Sequence, residues 1–537
     1  MSQPSLSADA LVVGAGFAGM YMLYSLRERG FTTIVLDRAD GVGGTWYWNR
    51  YPGARCDVES LVYSYSFSQE LEQEWEWTEK YPTQPEILKY ANHVADRFDL
   101  RRDIRFGTGV DSASWDEAGG FWSVATSTGE TLTARHLIMA SGCLSHSKLP
   151  EVPGVESFQG ATYHTGHWPH EGVDFSGQRI AVIGTGSSGI QSIPVMAEQA
   201  AHMTVFQRTP NFSLPAKNRA LDPGEQETMK SRYLEHREEA RASGFGIPAP
   251  DPELSALEVS VEERNATYEK AWEAGHLVKM LLSYTDLISN KEANETACEF
   301  VRGKIREIVD DPQTAEDLCP YDHPIGTKRP CLDTGYYATY NRNNVDLVNL
   351  RRTPIEAITP SGIRTSEREV EVDAIVFATG FDAMTGALVS VDIRGKDGQT
   401  LKDHWQSGPR TYLGLLVTGF PNFYTITGPA SPSVLSNMMV SIEQHVDWIA
   451  DCLTHLRDTG NDRIEATADA QDDWIVHNNE VGAATLFPLA NSWYMGSNVP
   501  GKPRVLMPYI GGVGVYRDEC REVVENGYRG CVLSATA

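Results

Sequence analysis

Residues 158–169 read FQGATYHTGHWP, and after a short linker residues 180–189 read IAVIGTGSSG. The second string is an apolar run closing in a glycine loop, with Gly184, Gly186 and Gly189 at the spacing of a dinucleotide-binding turn. A second such loop opens the chain. Residues 10–13 predict a buried strand, Gly14, Gly16 and Gly19 form the loop, and residues 20–28 predict a helix. In each loop the first glycine permits the tight turn and the second lets backbone approach a pyrophosphate. The third lets helix and strand pack closely, and the helix N-terminus then faces the phosphates. Thr33–Leu36 predicts the next strand and ends in Asp37, an acid placed to accept hydrogen bonds from a ribose 2′-hydroxyl. The expected fold is α/β, with two Rossmann-like dinucleotide-binding domains.

The two sites differ in one informative place. Asp37 lies 23 residues after Gly14, and the same step from Gly184 reaches Gln207, followed by Arg208 and Thr209. The acid is gone and a cation stands beside its position. A guanidinium binds a 2′-phosphate in bidentate fashion, where a carboxylate would repel it. The second site is therefore expected to take NADPH, through Gly184, Thr185, Gly186, Ser187, Ser188, Gly189 and Ile190 of the loop with Arg208 and Thr209. The first, at the N-terminus, is expected to take FAD. Two dinucleotides on one chain can exchange electrons.

Bulk properties narrow the partners. A chain of 537 residues exceeds one hydrophobic core. The net charge of -26 disfavours nucleic acid and anionic membranes, and reads most simply as solubility. No run approaches the ~20 apolar residues of a membrane span. The N-terminus lacks a basic start, so a signal peptide is not expected. The eight cysteines form no CxxC or CxxxxC pair, which fits a cytoplasmic location, no metal site and no redox disulfide. No obligatory protein partner is expected.

Residues 43–59 read GGTWYWNRYPGARCDVE, with Trp46, Trp48 and Tyr51 crowding a Gly/Pro-rich loop. Aromatic residues in a loop are more often packing than chemistry, but this loop follows the FAD acid almost directly. With these residues in place the chain resembles the type I Baeyer–Villiger monooxygenases, flavoproteins that convert ketones to esters or lactones. Phe158, Gly160, His164, Trp168 and Pro169 match that family's fingerprint. Gly44-x-Trp46, Tyr51-Pro52-Gly53 and Asp57 match its second motif, and the ATGFD string at 378–382 matches one shared with related flavin monooxygenases. Segments such as TQPEIL, GTKRP, GPRTYLGL and NVPGKPRV extend the likeness over nearly the whole chain. Phenylacetone, steroid and cyclohexanone monooxygenases are among the members it resembles.

The resemblance implies a mechanism. NADPH reduces FAD, oxygen adds at flavin C4a, and the peroxyflavin attacks a ketone to give a tetrahedral adduct that rearranges. NADP⁺ stays bound and protects the oxygenated flavin. Arg329, in Gly326-Thr327-Lys328-Arg329, matches the catalytic arginine, and Asp57 matches the acid that pairs with it. The chemistry needs a fixed cation, because preorganised charge in a dry site stabilises developing oxyanions. Lys328 matches a second 2′-phosphate contact, and Trp493 an aromatic near NADP on a mobile segment. Arg55 and Cys56 also fall among the NADP contacts. Alignment carries over Phe17, Thr45, Trp46, Tyr47, Trp48, Tyr63, Val110 and Met438 as FAD contacts. Without the family, Lys328 and Arg329 read as a solvated basic pair. His164 looks like an acid–base catalyst in a polar, Gly-rich linker, but the resemblance gives it a structural role between the nucleotide domains.

Domain boundaries follow from the loops. Residues 1–143 begin an FAD-binding domain and 144–214 an NADP-binding domain. Residues 215–328 are charged and helical in period, a helical insertion with a scaffold or lid role. Residues 329–380 complete the NADP-binding domain and 381–537 the FAD-binding domain. Catalysis is expected in the cleft between domains. Residues 428–438, GPASPSVLSNM, resemble a substrate-shaping loop, so Ser433, Val434, Leu435 and, at another edge, Cys143 are expected at the pocket. Leu435 is small enough to admit a ring or bulky chain. The substrates expected are O2 and an uncharged ketone with a sizeable apolar body. Two rivals remain: a flavin monooxygenase acting on nitrogen or sulfur, which has no need of Arg329, and a non-catalytic redox-sensing flavoprotein.

Overall fold

The computed structural model describes residues 6–249 and 252–536. Two sheets organise it. The first is eight-stranded and is built around Ala8–Val13, which pairs in parallel with Thr33–Leu36 on one side and Thr131–Met139 on the other. Thr131–Met139 is nine residues long and changes partner along its length. Its first half pairs antiparallel with Phe121–Thr126, and its last three residues pair in parallel with Phe423–Thr425 from the far end of the chain. The second sheet is all parallel, in the order Val345–Asn349, His202–Gln207, Arg179–Ile183, Ala374–Phe377, Ala161–His164. Its central residues Val182, Val205 and Val376 are fully buried, as expected for strands covered on both faces.

The fingerprint is not a linker. Residues 161–164 form the edge strand of the second sheet, with Ala161 opposite Ala374 and His164 opposite Phe377. These polar residues carry no strand signal of their own, because the strand pairs with a segment 213 positions away, the distance from Ala161 to Ala374.

Both glycine loops are made the same way. Gly14 and Gly184 have φ of 109° and 112°, and a Cβ at either would strike a carbonyl of the next parallel strand's exit, Ala140 or Ala378. The helices that follow, Phe17–Glu28 and Ser187–Gln199, start at Gly16 and Gly186, and neither start carries a side-chain cap. Their first N–H groups are left for another acceptor.

The chain crosses between the sheets along two strands that lie side by side. Ser147 and Phe381 form an antiparallel bridge, flanked by Lys148 N–H to Gly380 O at 3.1 Å and Asp382 N–H to His146 O at 2.8 Å.

The stretch between 215 and 328 is helical and packs in two parts. Helices Pro223–Ser231 and Tyr233–Ala242 lie on the first sheet's unit, where Ala240 packs with Val440 and Val513. Arg237 is buried there, donating to Glu72 at 2.9 Å, the Val62 carbonyl at 3.1 Å and Ser64 at 2.8 Å. Residues from Ala256 onward, including helices Val261–Ala274 and Lys291–Ile308, share a core with the second sheet.

Candidate functional site

One continuous cleft, open to solvent, runs between the units and is lined by both glycine loops. Every residue expected around FAD lines it except Gly19 and Tyr47. Gly19 sits against the Gly14 carbonyl, where its missing side chain permits helix and strand to touch. Tyr47 turns away to donate to Asp40. Asp37 accepts from Ala15 N–H at 2.5 Å and Ala39 N–H at 2.8 Å; burial pushes its carboxyl up against those bonds. Trp46 donates from Nε1 to the Tyr63 hydroxyl at 3.0 Å, so the two rings hold each other edge to face on the cleft wall.

At the second loop, Gly186 faces open space, so a phosphate can reach its backbone. Gly189 and Ile190 are packed inside and do not line the cleft. Gln207 is buried, with Nε2 turned to the Asp317 carbonyl at 2.6 Å, while Arg208 is exposed to the cleft and makes no ion pair among the described residues. Lys148, which sequence reasoning missed, also lines the cleft beside it. Lys328 stands back from the cleft, 3.7 Å from Asp322. Both lysines are pushed below the ordinary lysine value, by burial first and also by Arg208. Surplus positive charge of this kind is what a bound dianion relieves. Arg55 lines the cleft, but its guanidinium is turned to Glu79 at 3.1 Å.

The units meet at Arg329. Its Nε and Nη2 donate to the two oxygens of Asp57 at 2.9 and 2.6 Å, and Nη1 donates to the Val434 carbonyl at 2.8 Å. Burial opposes the charge on Arg329, but Asp57 outweighs it and holds the guanidinium's pKa well above the ordinary arginine value. Tyr494, also missed in the sequence, is buried beside them; burial pushes its hydroxyl up to about 12, against the pull of Arg329. Its neighbour Trp493 lines the cleft and packs on its ring at 4.2 Å.

Beyond Arg329 lies a second, small pocket walled by Phe245, Ile247, Leu281, Leu435 and Phe487. Val434 faces both spaces, and Cys143 lines the cleft alone. Ser433 lines neither: it is fully buried at φ 40°, and its hydroxyl donates to the Thr427 carbonyl at 3.1 Å. Much of this wall comes from the helical stretch, which the sequence reading gave only a scaffold or lid role.

His164 is no acid–base group. Its Nδ1 accepts from Gly166 N–H at 2.9 Å, so Nε2 carries the proton and donates to the Lys148 carbonyl at 3.2 Å. Thr379 donates to the same carbonyl at 2.6 Å. Burial pulls the ring down to about 4, so it stays neutral and ties the two crossing strands together.

Two nucleotide-binding units opening on one cleft, with a fixed cation where they meet, define a two-cofactor flavin oxidoreductase. The family model of the pyridine nucleotide-disulphide oxidoreductases matches residues 11–242. All eight cysteines are free. An acetone monooxygenase (methyl acetate-forming) from Gordonia sp. is 43% identical over 98% of this chain and 99% of its own. A Baeyer–Villiger monooxygenase from Pseudooceanicola batsensis is 43% identical over 98% and 97%. A phenazine N-monooxygenase from Lysobacter antibioticus is 42% identical over 98% and 97%. Among solved structures, an oxidized steroid monooxygenase bound to NADP superimposes with a TM-score of 0.94, at 53% identity over 98% of this chain and 99% of that one. The chain belongs to the Baeyer–Villiger monooxygenases.

Proposed function

We propose that this chain oxidises an apolar ketone to an ester or lactone, using FAD, NADPH and O2. The observation that carries this reading is the two-pronged Asp57–Arg329 pair at the junction of the cofactor cleft and the apolar pocket. FAD, bound along the first loop and reduced by NADPH on the second, supplies activated oxygen at that junction. The uncapped N-termini at Gly16 and Gly186 and the acid Asp37 fit the pyrophosphates and a ribose. Arg208 and Lys148 fit a 2′-phosphate, and this supports NADPH over NADH.

Arg329 keeps its proton at every working pH, and two fixed hydrogen bonds to Asp57 aim it. It stabilises oxyanion charge as it develops on the reacting centre and cannot donate that charge away. The apolar walls of the pocket beyond it suit the ketone's body.

The test is NADPH consumption by the purified yellow protein with phenylacetone, cyclohexanone, a cyclic C15 ketone and progesterone, with products identified by mass. A product one oxygen heavier than the ketone is expected. Peroxide alone from all four overturns the oxygen-insertion step.

The phenazine N-monooxygenase among the relatives favours one second reading, oxygenation of an aromatic nitrogen. Phenazine in the same assay separates the two: N-oxide without any ester would favour it.

A further inference from the structure

The pocket beyond Arg329 is apolar along its walls but carries two polar groups besides the catalytic pair's surroundings, Glu59 and His276. His276 is 8% exposed and starts the helix Leu277–Leu281, where its Nδ1 accepts from Lys279 N–H at 3.4 Å. The ring proton therefore sits on Nε2, which has no hydrogen-bond partner among the described residues. Burial lowers the ring's pKa, so it is a neutral donor at pH 7. Glu59 lies close enough to influence it and has one partner, the Lys80 ammonium at 3.4 Å. Lys80 is itself held by the Ala274 carbonyl at 3.0 Å, at the end of the helix that precedes His276. Glu59 also borders a second, more polar cavity lined by Lys80, Thr228, Arg232 and His236, so this flank of the pocket opens on polar ground.

His276 Nε2 is open to the pocket with its proton unused, so it can donate to a ligand that brings an acceptor there. We propose that His276 Nε2 and the Glu59 carboxylate form a polar recognition point in the ketone pocket, selecting bulky ketones that carry a second oxygen, a hydroxyl above all, away from the carbonyl. The hydroxyl accepts from His276 and donates to Glu59. The carbonyl is held for reaction near Arg329, and the apolar body spans Leu281, Leu435 and Phe487. His276 is a specificity residue, with no part in the oxygen transfer. The inference rests on the ketone reading of this pocket.

The test compares two ligands differing by one oxygen, 4-phenylcyclohexanone and 4-(4-hydroxyphenyl)cyclohexanone. Dissociation constants are measured on the oxidised holoenzyme with NADP⁺, and lactone formation is followed separately by mass. The wild type is expected to bind the phenol about tenfold more tightly, the scale of one net hydrogen bond at the upper end of its range. His276→Asn keeps a capping acceptor for Lys279 and removes Nε2, so the ratio is expected to fall to within about twofold. Glu59→Gln is expected to lower it in the same direction. A structural role alone would weaken both ligands together and leave the ratio in place. No preference in the wild type, an unchanged ratio in His276→Asn, or no binding of either ligand overturns the inference. Discrimination without lactone leaves it standing and sinks the oxygen-insertion reading; lactone from both with no discrimination does the reverse.

Discussion

The Asp382 carboxylate holds the Lys502 ammonium at 2.5 Å, joining residues 120 positions apart. Asp382 closes the ATGFD string on the returning crossing strand, and Lys502 ends the segment that begins with Trp493. Lys502 also donates to the Ala383 carbonyl at 2.9 Å, and Asn498 donates to the Phe381 carbonyl at 2.8 Å. The acid of ATGFD thus pins the aromatic segment that covers the cleft. Asp382→Asn and Lys502→Met each remove a charge-assisted bond worth about 1.5–3 kcal/mol. Both are expected to raise peroxide release per NADPH consumed and to speed proteolysis within residues 493–502. Unchanged peroxide yield in both variants would show that the pin has no part in sealing the cleft.

Arg329→Ala removes the guanidinium that two bonds to Asp57 fix at the junction. Ester formation is expected to fall at least about 100-fold, the cost of one preorganised oxyanion donor. Anaerobic reduction of FAD by NADPH persists. Arg329→Lys keeps the charge but not the fork that matches Asp57, so it restores little. Stopped-flow reduction beside product analysis reads both halves, and retained ester formation in Arg329→Ala contradicts the assigned role.

Arg208→Ala tests the second cofactor. The KM for NADPH is expected to rise about 10- to 100-fold, the loss of a charge-assisted phosphate contact. The KM for NADH, which has no 2′-phosphate, stays close to its starting value. Lys148→Met is expected to move the ratio the same way by a smaller factor. Equal effects on the two nucleotides in Arg208→Ala would mean that it does not contact the phosphate.

Acid sensitivity follows from buried histidines. Burial pulls His136 and His445 down to about 3 and His164 to about 4. A ring held below its unfolded value of about 6.5 is neutral in the fold and takes up its proton on unfolding. Their stabilisation is complete above that value and is lost as pH falls toward the folded pKa. Each contributes a slope of up to about 1.4 kcal/mol per pH unit. Glu443, pushed up by burial, bends the profile the other way, so the comparison must be between variants. His445 accepts from Thr427 N–H at 2.9 Å and meets the Tyr516 hydroxyl at 2.8 Å. His445→Gln is expected to flatten the fall in urea midpoint between pH 7 and 5. A parallel profile in the variant would place the acid sensitivity elsewhere.

The nucleotide loops were legible because each is local: strand, glycines, helix and the position that holds Asp37 or Gln207 follow within about 25 residues. The pairing of Arg329 with Asp57 was not, since 272 positions separate them and spacing carries no sign of it. Only resemblance to a family singled them out. His164 owed its structural reading to the family alone, because a histidine in a polar string shows neither its strand nor its Lys148 acceptor. Ser433 was expected at the pocket, but its backbone bends into the left-handed region and turns the hydroxyl inward. The docking of residues 223–247 was hidden by charge. Arg237 and Glu72 read as solvated residues, yet each side chain is only 6% exposed in the structure.

That docking changes how the two nucleotide units are joined. The chain passes from one to the other at residues 145–149 and 380–384, and again on either side of the stretch 223–247, which rides on the first unit. The units are therefore moored by four tethers, not two, and the extra pair belongs to the arm that carries Phe245 and Ile247 to the ketone pocket. A body moored in this way can rock against its neighbour but cannot swing clear of it. Any hinge motion between the units would therefore also shift the arm's side of the ketone pocket.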